Sequence, residues 1–387
     1  MLNRPPSLDS VLQWLNRDAR LLPDISDVIG ELGQRLRDAG MPVDRMTTGV
    51  PILHPQITSN GVTWEPGQAM VFNRWRLNEQ TIPGFLNSAM YLVYNEGRRI
   101  HRRVAKEPEV GEFSIVPELR AAGICDYLAL PAPFSDGTYK AVTFATRSDA
   151  GFSDDDIAIL ESLMPALSMI MEIKSEHQVA RVLLDTYVGH HAGGRILDGA
   201  IKRGTGETLR AVIWFCDLRG FTNLSNNLPR DQMIDLLNEY FQLTGDAIGN
   251  AGGEILKFIG DAVLAIFPID QSGDERKTAA RALAAARSAI GSVDTRNTTA
   301  DRPIDIGIAL HVGDVMYGNV GVDNRLDFTV IGPAVNLASR VEGLAANLGE
   351  KILISADFAD LSEGDHRDLG ARELKGFDHP VRIYGVD

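Results

Sequence analysis

Asp217 and Asp261 each stand beside an uninterrupted apolar stretch, and that placement makes them the first candidates for chemistry. Asp217 ends the run AVIWFC at 211–216, which has the length and texture of a strand buried on both faces. Asp261 belongs to a Gly-Asp pair between EILKFI at 254–259 and AVLAIF at 262–267, a pattern that reads as two strands joined by a tight turn. If that hairpin lies beside the first strand, the two carboxylates meet at one edge of the sheet. Facing carboxylates repel, and a hard divalent cation relieves the repulsion most simply. Mg²⁺ prefers oxygen ligands and keeps water and substrate phosphates in its shell. Such ions can activate a hydroxyl and hold the oxygens of a leaving phosphate. Spacing alone equally allows a structural hairpin turn, with Asp217 paired to a neighbouring base.

The surrounding elements are those needed to hold such a pair. Residues 230–250 carry Met233, Leu236, Leu237, Tyr240, Phe241 and Ile248 on one helical stripe, and Gly252 and Gly253 stop it. Upstream, residues 8–40 read as helical, whereas 49–76 break into short apolar runs among Gly, Pro and Asn. Strands are expected at 127–131 and 139–146. Ser153 then caps a helix whose first turn holds three aspartates, which suit its positive end. That helix runs toward Leu183, with Pro165 placed to kink it. Residues 178–210 read as a connector. Its GHHAGG segment at 189–194 is expected to break the helix as a solvated turn, with a short hairpin over 196–209. His190 and His191 read as part of that turn in preference to a metal site.

The whole chain of 387 residues has a formal net charge of −14, which argues against a general nucleic-acid binder. Its two cysteines, Cys125 and Cys216, have no ligand-spaced companions, so a zinc site and a disulfide framework are not expected. The N-terminus lacks the apolar core of a signal peptide, and no run reaches the length of a membrane span. A soluble, cytoplasmic protein without membrane contact is the expectation.

Five motifs in order then resemble one family. FCDLRGFT at 215–222 resembles the first metal motif of class III adenylate and guanylate cyclases, and KFIGD at 257–261 resembles their second. HVGDV at 311–315 with GNVG at 318–321 is similar to their next hairpin. RLDFTVIG at 325–332 followed by VNLASR at 335–340 is similar to their transition-state segment, and ELKG at 373–376 to their last phosphate-contacting turn. Any one match alone is weak; five linked matches over 210–387 are specific.

The resemblance implies an α+β fold class: a ferredoxin-like palm, β-α-β-β-α-β, as the catalytic domain over 211–387. It implies ATP as substrate, cyclic AMP as product, and two Mg²⁺ or Mn²⁺ ions per site. It assigns Asp217, Asp261 and the Leu218 carbonyl to the metals, and the backbone at Gly220, Phe221 and Thr222 to phosphate. Asn336 would orient the ribose, Arg340 would meet the α-phosphate, and Lys375 would meet the terminal phosphates. Lys257 and Thr329 would read the base. A lysine donates to adenine N1, and a hydroxyl accepts from its amine. Guanylate-specific members carry Glu at the lysine position, so Lys257 argues for ATP, while Thr329 leaves room for some GTP. Sites would form between two chains, hence a homodimer. A nucleotide-binding module without turnover is the competing reading, and the GGDEF signature of diguanylate cyclases is absent. Residues 1–177 resemble a GAF-type sensor domain, mainly through 139–170, with an α+β domain of another type as the alternative. A small ligand or a protein would bind there. Cys216 reads as a core residue and Arg219 as a solvated one.

Overall fold

The computed structural model describes residues 8–51, 59–75, 82–200, 202, 204, 206–269 and 273–386. Residues 1–7 of the N-terminal stretch, 52–58 and 76 of the strand-rich block, and 201, 203 and 205 of the connector lie outside these. The chain divides into two compact units, Met1–Leu183 and Leu184–Asp387.

The first unit contains helices α1 (Leu8–Arg17), α2 (Ile25–Asp38), α3 (Ile82–Leu86), α4 (Ala89–Glu96) and α5 (Val116–Ala121). Helix α6 (Asp154–Val188) starts here and runs without interruption past Pro165. The strands are β1 (Arg45–Pro51), β2 (Ser59–Trp64), β3 (Val71–Trp75), β4 (Ile100–Arg103), β5 (Asp126–Pro133) and β6 (Tyr139–Thr146). They form one antiparallel sheet in the order β3-β2-β1-β6-β5-β4. Alternating residues serve its two faces. Leu128, Leu130, Val142 and Phe144 pack with α1, α2 and α6, while Tyr127, Ala129, Ala141 and Ala145 pack with α4 and α5. Ser153 caps α6 as expected: its Oγ accepts from the Asp156 N–H, and Asp156 answers the Ser153 N–H.

The second unit opens with α7 (His190–Leu197), then β7 (Gly206–Leu218), α8 (Phe221–Asn227), α9 (Arg230–Asn250), β8 (Glu254–Ile259), β9 (Ala262–Pro268) and α10 (Glu275–Asn297). It continues with β10 (Ile306–Val322), β11 (Arg325–Ile331), α11 (Pro333–Glu342), α12 (Ala345–Leu348), β12 (Ile352–Ser355), α13 (Ala356–Ala359), β13 (Arg367–Arg372) and β14 (Val381–Val386). The sheet order is β13-β14-β12-β10-β7-β9-β8, with β11 paired to the outer half of β10. Within it, β7-α9-β8-β9-α10-β10 is the expected palm, its strands ordered β10-β7-β9-β8 and all neighbours antiparallel.

Strand β7 lies at the centre because both of its faces are apolar. Val212, Trp214, Cys216 and Leu218 pack against α9 and α10, and Ala211, Ile213 and Phe215 join the core beneath β11 and α11. Burying a side chain such as Val212 or Ile213 contributes roughly 1.5–3 kcal/mol, so the strand that ends in Asp217 is well anchored in the unit.

The connector departs from expectation. Gly189, at φ +95°, ends α6, but His190 onward is helical rather than a turn, and residues 206–209 enter β7 instead of forming a hairpin of their own. The cause is tertiary. The buried Glu254 carboxylate accepts from the His191 and Ala192 N–H groups and from the Tyr317 hydroxyl at 3.2 Å, capping α7 from outside its own sequence. The Arg195 guanidinium lies over the rings of Tyr317 and Phe328.

Candidate active site

Asp217 follows Cys216, which stands opposite Val263 on β9. The β8–β9 hairpin closes through Gly260 and Asp261, with Ile259 opposite Ala262. Gly260 takes φ +66°, the left-handed position such a two-residue turn requires at its first residue. The pairing therefore sets the hairpin tip beside the end of β7, and the Asp217 carboxyl reaches hydrogen-bonding distance of Asp261. Burial, followed by the hydrogen bond and the like charge of Asp261, raises the Asp217 pKa to about 6, and only the Leu218 backbone N–H opposes them. No protein cation is among the groups that act on Asp217. A third acid lies near. Glu342, at the end of α11, is buried, and burial followed by the charge of Asp217 lifts its carboxyl to about 7.

This donor set fits a hard divalent cation. Two oxygen-donor side chains face each other, their charge is not neutralised by the protein, and the pair lies at a strand end rather than in the core. Among the described residues no group of three His, Cys, Asp or Glu converges as a complete cage. Two carboxylates with open positions are what a Mg²⁺ that keeps water and substrate phosphate calls for. The structure also puts Gly220, at φ +69°, immediately before the first turn of α8, with Phe221 and Thr222 in that turn.

The remaining residues singled out in the sequence fall into two groups. Asn336 and Arg340 lie one turn apart on α11, both exposed, and Arg340 has no ion-pair partner among the described residues. Lys375 is likewise exposed, in the turn between β13 and β14, at the opposite end of the sheet from the β8–β9 hairpin. Lys257 and Thr329 form the second group. Thr329 is buried on β11, opposite Gly318. Lys257 is not the water-exposed edge lysine that spacing alone allows: its side chain is 30% exposed, and its Nζ donates to Asp327 Oδ2 at 3.1 Å. A cavity of about 700 Å³ between β10, α11 and α13, lined by Arg210, His311, Asp314 and Asp357, contains none of these residues.

Arg219 is a correction. It is not solvated: its Nη1 donates to Asp305 at 2.8 Å and its Nη2 to the Glu350 carbonyl, tying the end of β7 to the loops that flank β10 and β12. Cys216 is a core residue as expected, and it accepts from the Tyr240 hydroxyl at 3.3 Å. Glu342, Asp327 and Glu254 were not foreseen. Their partners are 62 to 125 residues away, and no local pattern marks them.

Comparison with known proteins adds three relatives. Residues 206–385 match the family model described as the adenylate and guanylate cyclase catalytic domain. An adenylate cyclase from Anabaena cylindrica is 39% identical over 193 residues, 48% of this chain and 37% of that protein. A terminal-differentiation-specific adenylate cyclase from Dictyostelium discoideum is 35% identical over 182 residues, 45% of this chain and 8% of that protein. Among solved structures, the adenylyl cyclase CyaB from P. aeruginosa is 33% identical, with a TM-score of 0.42, covering 47% of this chain and 96% of that one. The chain thus spans well under half the length of these two curated relatives. Among the described residues, no helix is long and apolar enough to cross a membrane.

Proposed function

We propose, because residues 206–385 belong to the adenylate and guanylate cyclase catalytic-domain family, that this chain converts ATP to 3′,5′-cyclic AMP and pyrophosphate at sites shared by two copies. The observation that carries the reading is the un-neutralised carboxylate pair, Asp217 with Asp261. Together with the Leu218 carbonyl they hold Mg²⁺ or Mn²⁺, two ions per site. When bound, these ions supply the charge that makes the ribose 3′-hydroxyl acidic and steadies the departing pyrophosphate.

The residues of the chain do the rest. The 3′-oxygen bonds to the α-phosphorus, the bond from that phosphorus to the β-phosphate bridging oxygen breaks, and the hydroxyl proton passes to solvent. Asn336 hydrogen-bonds the ribose and keeps the hydroxyl in line with the leaving group. Arg340 donates to the α-phosphate as negative charge grows there. Lys375 meets the terminal phosphates, and the backbone N–H groups at Gly220, Phe221 and Thr222 face the same polyanion. Lys257 donates to adenine N1, and the Thr329 hydroxyl accepts from the 6-amino group.

One copy supplies Asp217 and Asp261, and the other supplies Lys257, Thr329, Asn336 and Arg340. Arg340, Asn336 and Lys375 are exposed, without partners among the described residues, as groups awaiting a polyanion would be. Phe258 and Ile259 on the hairpin are each 49% exposed, apolar surface that a second copy would cover. The first unit, with its own sheet and core, is a regulatory GAF-like domain that binds a small ligand or a protein.

The test is direct. Purified dimer with ATP or GTP and Mg²⁺ or Mn²⁺ is assayed for cyclic nucleotide and pyrophosphate. Cyclic AMP and pyrophosphate in equal amounts are expected, with GTP a poorer substrate. A dimeric sample that yields neither product with either metal is a nucleotide-binding module, and the reading fails.

A further inference from the structure

We infer that Glu342 is a positioning residue for the metal: its carboxylate stands behind the Asp217–Asp261 pair and accepts a hydrogen bond from a water in the shell of the ion they hold. The inference rests on the metal reading above and deepens it.

The placement follows from strand alternation. On β7, Cys216 and Leu218 face α9 and α10, while Ile213 and Phe215 face α11, so Asp217 lies on the α11 side. Directly opposite it on β10 is Gly307, between Ile306 and Ile308, which face α9 and α10. Residues opposite each other on antiparallel strands share a face, with Cβ atoms about 5 Å apart. Gly307 leaves its half of that face without a side chain, and Glu342, the last residue of α11, fills it. A Cβ on Gly307 would come within 2.6 Å of Glu342 Oε1. The glutamate carboxyl therefore takes the cross-strand seat next to Asp217. Among the described residues, no three acids converge as direct ligands of one ion. That leaves Glu342 a place behind a water, not on the metal.

The seat is a costly one for an acid. Glu342 is only 9% exposed, and no hydrogen bond from a described residue reaches its carboxyl. Asp217 and Asp261 both repel it. Among the described residues the cation that acts on it is Arg219, whose Nη1 and Nη2 are already committed to Asp305 and the Glu350 carbonyl. Like charges facing each other across two strands destabilise a sheet, and a buried polar group without a partner adds to that cost. If this position only had to pack α11 against β10, an apolar side chain would serve it better. A divalent cation turns the cost into a use. The waters in its shell point their hydrogens away from the ion, and an acid behind one of them orients both the water and the ligands.

The test uses the full-length chain at pH 8 with Mn²⁺ alone, so the outcome does not depend on turnover. Bound Mn²⁺ is read from the loss of the free-ion EPR signal, and Tm is measured in EDTA. Glu342→Gln is expected to weaken Mn²⁺ binding by about tenfold, the order found when an outer partner of a metal site is lost. Its Tm in EDTA should be unchanged or higher. Gly307→Ala keeps every charge but pushes the carboxyl from its seat, and it should weaken Mn²⁺ binding too. Added to Glu342→Gln it should weaken binding no further, because it acts through the glutamate. Asp261→Asn reports on the metal reading itself: if that variant binds Mn²⁺ as the parent does, the pair is no metal site and both readings fail. The inference alone is overturned if Asp261→Asn loses the ion while Glu342→Gln keeps it. It is also overturned if Glu342→Gln lowers only Tm, or if Gly307→Ala either has no effect or adds its full effect to Glu342→Gln.

Discussion

Asp261 illustrates what a single residue contributes here. Its carboxylate burdens Asp217, whose pKa it helps raise to about 6, so in the absence of metal it weakens the fold rather than supporting it. Asp261→Asn keeps the shape and a hydrogen bond while removing the charge. That variant should fold with an unchanged or higher Tm in EDTA. Millimolar Mg²⁺ or Mn²⁺ should raise the Tm of the parent chain by mass action and leave the variant unmoved. Cyclisation should drop at least about a hundredfold, the order seen when one charge-stabilising group is taken from an active site. Near-parental turnover, or an undiminished metal-induced rise in Tm, removes Asp261 from the metal site.

Strand β10 makes the corresponding point for an element. It pairs with β7, β11 and β12 and carries His311 into the interior, where Nδ1 and the Ser355 hydroxyl at the β12–α13 junction share a 2.8 Å hydrogen bond. Burial lowers the His311 pKa from 6.5 to about 4; the Asp357 carboxylate, 3.9 Å away but largely exposed, pulls the other way without prevailing. Between those two pH values the unfolded chain takes up a proton that the folded chain refuses. Stability from this group is therefore complete above about pH 6.5 and falls as pH drops through the window toward 4, by up to about 3 kcal/mol. His311→Gln keeps a neutral hydrogen-bonding side chain. The difference in unfolding free energy between parent and variant, measured from pH 7.5 to 4.5, isolates this contribution from the carboxylates that titrate in the same range. A difference that stays constant with pH shows that burial does not hold the ring neutral.

For the whole molecule, the decisive question is where one site's residues come from. Asp217 and Arg340, both needed for each site, come from different copies in the proposed dimer. Chains with Asp217→Ala or Arg340→Ala are each inactive alone. When mixed equally, half of the dimers are hybrids, and each hybrid has one intact site of two, so about a quarter of the parental activity should return. Complementation that fails although hybrid dimers are demonstrated places the whole site within one copy.

The sequence by itself determined the parts whose information is local. The apolar run at 211–216, the Gly-Asp turn at 260–261 and the stripe along α9 fix their own conformations through burial, φ freedom and periodicity, and they survive into the structure as read. Tertiary structure decided which of these parts touch. Asp217 meets Asp261 because β7 and β9 pair across more than forty residues, and Glu342 comes beneath them because α11 packs on β7 and β10. Residues 190–197 are helical because Glu254, more than fifty residues away, caps them, a partner that the His and Gly content of that segment could not announce. Lys257 is the sharpest case. Its type and motif were legible, but the bulge that turns it and the aspartate that holds it exist only once β8, β9 and β11 are assembled, since register is a property of paired strands and not of either strand alone.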